Sequence, residues 1–178
     1  MRKLAVIFPG AGYGLDSPLL YYADFLFESK GYERVRMEYS SILSCKEFSV
    51  ENKIKVLREY VWSQIEGVDF GQYDEVVFLS KSIGAIEAGV LADRLDISIK
   101  QIFFTPVKEA ASYLKTDSIF VIGTKDKEYS FYKEQCEEKN VTALYIEGAD
   151  HLLEIQDSPF DSIKVLENVM QFISAEIK

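Results

Sequence analysis

The sequence predicts a three-layer α/β/α sandwich with a mainly parallel sheet of about six strands. Three observations lead there. Apolar, β-prone runs alternate with helical periodicities along the chain, the order that crossover connections between parallel strands require. Several of those runs are almost continuously hydrophobic, as strands covered on both faces are. The 178 residues amount to about one domain, with no internal repeat, low-complexity tract or linker to divide them.

The first strand is read at KLAVIF (3–8), stopped by Pro9 and Gly10. A helix follows in DSPLLYYADFLFESKG (16–31), with a capping candidate, Pro18 at its first position and Gly31 at its end. RVRMEY (34–39) alternates polar and apolar residues more than the other runs do, which places it at an edge of the sheet. Val50, Ile54, Leu57, Val61 and Ile65 recur at steps of three and four, the stripe of a second helix closed by Gly67. EVVFLS (75–80) is the third strand, and a helix follows Ser82 directly, through about Leu95. IKQIFF (99–104) and SIFVIG (118–123) are the next strands. Residues 129–139 read as a helix with a weak apolar face, and TALYIE (142–147) as the sixth strand. The last helix starts at Ser158-Pro159 and is expected to bury Ile163, Leu166, Met170 and Ile173.

Charge narrows the partners. Acidic residues outnumber basic ones by 29 to 20, a net charge of −9, in a composition that is 48% hydrophobic. Nucleic-acid binding draws most of its affinity from neutralised phosphates, which this surface repels on average. Anionic membrane surfaces are disfavoured for the same reason. The apolar stretch from Leu4 to Phe8 is shorter than the ~7–15 residues of a secretory signal or the ~20 of a spanning helix. Cys45 and Cys136 have no CxxC spacing, so they read as reduced thiols without a metal or redox motif. A cytoplasmic location is the expectation.

In a parallel sheet of this kind a ligand sits beyond the carboxyl ends of the strands, so the residues after each strand carry the functional information. The third strand is followed by Ser80-Lys81-Ser82-Ile83-Gly84, a variant of G-x-S-x-G with Ser80 in place of the first glycine. In that pattern a sharp strand-to-helix turn holds the central serine in a strained conformation, at a helix N-terminus that favours developing negative charge. Asp126 lies in the loop after the fifth strand, where a carboxylate can orient a histidine, although Asp in a polar turn also serves backbone amides. His151, the sole histidine of the chain, follows the sixth strand, where a general base can reach Ser82. A single histidine excludes zinc sites built on two or three. Asp150 and Glu154 are the other carboxylates near His151.

The first strand runs into FPGAGYG, whose Gly10, Gly12 and Gly14 permit a tight loop with accessible amides. Acyl transfer needs N–H donors aimed at an oxyanion; Ile83 and Ala11 are the candidates, with Gly12 as the alternative. A dinucleotide-binding G-x-G-x-x-G fails because residue 15 is leucine, and no G-K-[ST] follows.

Ser82, Asp126 and His151 stand in the order nucleophile, acid, base, each after a separate strand. On SKSIGA, GTKDKEY and EGADH the chain resembles the α/β-hydrolase superfamily, and within it the small, cap-less, dienelactone-hydrolase-like branch. The resemblance runs from about Lys3 to Ile173. It implies a single domain with a sheet ordered 2-1-3-4-5-6, a minimal form of that fold lacking the two N-terminal strands and the cap, since only Thr105 to Asp117 separates the fourth and fifth strands. It also implies that Ser82, Asp126 and His151 are catalytic and that residues 10–12 form the oxyanion loop, though Pro9 stands where many relatives carry histidine. Phe104, Pro106, Tyr129 and Leu152 are candidate substrate contacts.

The expected function is a serine hydrolase cleaving a carboxylic ester or thioester through an acyl-enzyme, with no metal or organic cofactor and a small-molecule substrate. An acyltransferase or amide hydrolase would use the same three residues. A non-catalytic ligand-binding protein would keep only the fold.

Overall fold

The computed structural model describes residues 1–39, 42 and 50–177. Cys45 falls outside them, as does the side chain of Val50. Among the described residues six strands form one all-parallel sheet: β1 (Lys3–Phe8), β2 (Tyr32–Arg36), β3 (Glu75–Lys81), β4 (Lys100–Phe104), β5 (Ile119–Gly123) and β6 (Thr142–Ile146). Their order is β2-β1-β3-β4-β5-β6, as the resemblance implies. The α-helices described are α1 (Pro18–Ser29), α2 (Val50–Ile65), α3 (Gly84–Arg94), α4 (Tyr129–Glu138) and α5 (Pro159–Glu176), with short 3-10 turns at Phe70–Gln72 and Lys108–Tyr113.

The period-two alternation of the strands sorts their side chains into two faces. Ala5, Ile7, Val77, Leu79, Ile102, Phe104, Ile119 and Val121 turn toward one layer, where Leu19, Leu20, Ala23 and Phe27 of α1 meet Val165, Val169 and Ile173 of α5. On the opposite face Leu4, Val6, Phe8, Val76 and Phe78 pack against Leu57, Val61 and Ile65 of α2 and Ala88 and Leu91 of α3. Phe103, Phe120 and Ile122 extend that face under Tyr132 and Cys136 of α4. Cys136 is a free thiol pushed up to about 11 by burial, which keeps it protonated and unreactive.

β2 begins two residues earlier than the alternation of residues 34–39 indicates. Register with β1 starts at Lys3↔Tyr32, and Tyr32 is buried by stacking edge-on against Phe27 at 5.0 Å. α5 departs further from expectation. Its buried stripe is Val165, Val169 and Ile173, with Leu166 and Met170 only partly covered, while Ile163 is 61% exposed. The helix is rotated so that Ile163 looks away from the sheet. Val169→Ala should therefore cost about 2 kcal/mol in urea unfolding. Ile163→Ala should change stability by under about 0.5 kcal/mol.

Candidate active site

Ser82 occupies the turn between β3 and α3 with φ 53°, a left-handed conformation that a serine adopts only when its surroundings impose it. Its N–H donates to Phe104 O at 3.1 Å, and its carbonyl accepts from Ala85 N at 3.2 Å. Gly84 is required by close approach: a Cβ there would lie 2.5 Å from Pro9 O and 2.6 Å from Phe8 O. The end of β1 is thus pressed against the start of α3. Ser80 is accommodated where glycine is usual because its buried Oγ donates to Ile102 O at 3.2 Å.

A second close approach joins the loops after β5 and β6. A Cβ on Gly123 would fall 2.1 Å from Ala149 O, so only glycine lets these backbones meet. Lys125 N donates to Ala149 O at 2.9 Å, and Gly148 N to Thr124 Oγ1 at 2.8 Å. This clamp sets Asp126 against His151. His151 Nδ1 lies 2.7 Å from Asp126 Oδ2, and His151 Nε2 lies 3.0 Å from Ser82 Oγ.

The Asp126 side chain is fully buried, and the His151 side chain is 36% exposed. Burial pushes the Asp126 carboxyl upward. Hydrogen bonds from His151 and the Glu128 amide, with the charges of His151 and Lys81, outweigh that and hold it below the usual range. An ionised carboxylate only accepts, so Nδ1–H donates to Asp126 and Nε2 is left to accept the Ser82 hydroxyl proton. Asp150 is occupied elsewhere, its Oδ1 accepting from Leu152 N at 2.8 Å and Glu154 N at 3.1 Å. Glu154 is exposed. Of the carboxylates singled out in the sequence, Asp126 is the one hydrogen-bonded to the imidazole.

The loop after β1 closes as a turn, with Gly10 N donating to Tyr13 O at 3.1 Å and Tyr13 N to Gly10 O at 3.4 Å. Ala11 and Gly12 form its apex. Gly10 lies against the serine, a Cβ there reaching to 3.2 Å from Ser82 Cβ. Among the described residues, the N–H groups of Ala11, Gly12 and Ile83 donate to no protein acceptor. Of the candidate substrate contacts, Phe104 and Pro106 are buried, Tyr129 is half-buried edge-on to Tyr145, and Leu152 is 40% exposed beside His151. Among the described residues no group of three or more His, Cys, Asp or Glu could hold a metal ion, and no helix is long and apolar enough to cross a membrane.

Sequence reasoning passed over Lys81. Its side chain is fully buried beneath the site. Nζ donates to Thr105 Oγ1 at 2.6 Å and to His151 O at 2.8 Å, and lies 5.1 Å from the centroid of the Tyr13 ring. Thr105 Oγ1 itself donates to His151 O at 3.0 Å from a residue with φ 39°. The backbone of the histidine is therefore anchored to the strand end that carries the serine. The sequence signal was a lysine inside an otherwise buried strand, which has to find partners.

Burial lowers Lys81 from 10.5 to about 8, against the charges of Asp126 and Asp150, which favour its proton. The unfolded lysine keeps its proton to about pH 10.4, so above about pH 8 the unfolded chain binds more protons and stability rises with pH. This group alone should add about 2 kcal/mol between pH 7 and 9.5. Lys81→Met should lack that rise, because it has no proton to lose there. Urea unfolding at both pH values checks this, and the same pH dependence in both proteins would contradict it.

No family model and no curated protein sequence matches the chain. Solved structures do resemble it. Dienelactone hydrolase from Anabaena variabilis superposes with a TM-score of 0.69 at 15% identity, over 98% of this chain and 86% of that one. Est1E from Butyrivibrio proteoclasticus gives a TM-score of 0.68 at 13% identity, over 99% and 88%. An alpha-beta serine hydrolase homologue from Coxiella burnetii gives 0.63 at 13% identity, over 99% and 85%. The chain has the α/β-hydrolase fold over nearly its whole length, with Ser82, His151 and Asp126 at the carboxyl edge of the sheet.

Proposed function

We propose that the protein is a serine hydrolase of a single domain that cleaves a carboxylic ester or thioester. The observation that carries this reading is the continuous hydrogen-bond chain from Asp126 through His151 to a strained Ser82 at the start of a helix. His151 Nε2 takes the hydroxyl proton as Ser82 Oγ bonds to the substrate carbonyl carbon. The carbonyl oxygen becomes an oxyanion, received by N–H groups from Ile83 and from Ala11 or Gly12. Each such donor is worth ~3 kcal/mol of transition-state stabilisation.

Collapse of the tetrahedral species breaks the bond to the alcohol or thiol, which leaves with the proton returned by His151. An acyl-Ser82 ester remains. Water then gives a proton to His151 Nε2 as its oxygen attacks the acyl carbon, and Ser82 Oγ leaves and is reprotonated. Asp126 stays ionised throughout, holding the ring in the Nδ1–H tautomer and favouring the imidazolium that forms in each half-reaction. The reaction as written needs no metal or organic cofactor.

Labelling with a fluorophosphonate probe tests the nucleophile without knowledge of the substrate. Peptide mapping should find the label on Ser82, and Ser82→Ala should lose it. A well-folded wild type that takes no label, or takes it on another serine, would contradict the proposal. The first of those outcomes would favour a ligand-binding protein on a hydrolase fold.

A further inference from the structure

A cavity of about 410 Å³ opens where the N-terminal ends of α1 and α5 meet the loop carrying His151. Building on the reading of Ser82 as the acyl acceptor, we propose that this cavity is the acyl subsite and takes an uncharged alkyl chain of about six to ten carbons. Its walls continue from the residues that frame the serine. Gly10 touches Ser82, and Tyr13, which closes the same turn, lines the cavity. His151 bonds Ser82 on the other side, and Leu152 and Leu153 carry its loop into the cavity wall. Ser82 and His151 are not themselves among the lining residues, so a chain attached at Ser82 Oγ would enter the cavity past Leu152, the neighbour of His151.

The lining accounts for what the fold leaves over. Ile163 belongs to none of the buried clusters and is 61% exposed, yet it lines this cavity with Leu19, Ile155 and Leu166. Leu152, in the same lining, is 40% exposed. Large apolar side chains gathered at one opening mark a surface built to be covered. The loop also holds Leu153 at φ 62° and Asp157 at φ 59°, conformations that cost energy and shape the wall between His151 and α5.

Charge selects the occupant. The titratable residues of the lining are Tyr13, Glu154 and Asp157, with no Lys or Arg among them. Burial of Tyr13, with the Glu154 charge, outweighs its hydrogen bond from the Leu19 amide and holds the phenol neutral above the ordinary range, so it adds no charge to the cavity. An acyl chain ending in a carboxylate would meet two carboxylates and no counter-ion. An alkyl chain loses nothing there and removes apolar surface from water. A cavity near the small end of the range for ligand sites fits a medium chain better than a long lipid.

The test uses p-nitrophenyl acetate, octanoate and an ω-carboxy-octanoate on the wild type and Ile163→Trp. Methyl octanoate is titrated in parallel into Ser82→Ala, followed by methyl NMR. Each buried methylene is worth up to about fourfold, so kcat/KM should rise by about tenfold or more from acetate to octanoate. The octanoate-to-acetate ratio should fall by about tenfold in Ile163→Trp, and methyl octanoate should shift the Leu19, Ile163 and Leu166 methyls. Acetate turned over as fast as octanoate, with no shift at those methyls, would overturn the subsite and leave the hydrolase reading standing. Shifts at those methyls in a protein that turns over none of the esters would uphold the cavity's ligand class and sink the hydrolase reading. Preference for the ω-carboxy ester would overturn the proposal, and so would a dimer that covers the same methyls without added ester.

Discussion

The hydrogen bond between His151 Nδ1 and Asp126 Oδ2 is the interaction on which the site depends, and it exists because two loops are forced together. An ionised carboxylate with no exposed side-chain surface is costly unless its oxygens are satisfied. Here one oxygen takes the imidazole and the other takes the Glu128 amide. The contact at Gly123 that brings Ala149 within reach of β5 is what makes this possible. The same logic repeats at β3, where Gly84 lets the end of β1 lie against the first turn of α3 and sets the glycine loop beside Ser82.

Beneath that chain of side chains lies a second, buried charge. Lys81 ties the His151 carbonyl to the strand that ends in Ser82, so histidine and serine are linked both by their side chains and through the backbone. A buried ammonium and a buried carboxylate on opposite sides of one histidine are each costly alone and support each other by Coulomb attraction. On the outward side the His151 loop continues through Leu152 and Leu153 into the wall of a cavity lined mainly by apolar side chains.

Much of this was legible in the sequence because the physics is local. Continuous apolar runs located the strands, and Ser82, Asp126 and His151 could be placed because each follows a strand end. Two features were not legible for identifiable reasons. The last helix carries two stripes compatible with 3.6 residues per turn, Ile163-Leu166-Met170-Ile173 and Val165-Val169-Ile173, and periodicity cannot choose between them. The choice is made by packing against α1 and the sheet, which takes the valine stripe and leaves Ile163 outside. Lys81 was passed over because a lysine ordinarily reads as surface. Its partners, Thr105 and the His151 carbonyl, are 24 and 70 residues away in the chain and meet it only in the folded sheet.

Asp126 holds the imidazole with its proton on Nδ1, leaving Nε2 to accept from Ser82. Because His151 is the sole histidine of the chain, its ring nitrogens can be read by ¹⁵N NMR at neutral pH without assignment of the rest of the protein. One dominant Nδ1–H tautomer is expected in the wild type, and its loss in Asp126→Asn. A wild-type ring protonated on Nε2, or one averaging freely between tautomers, would contradict it.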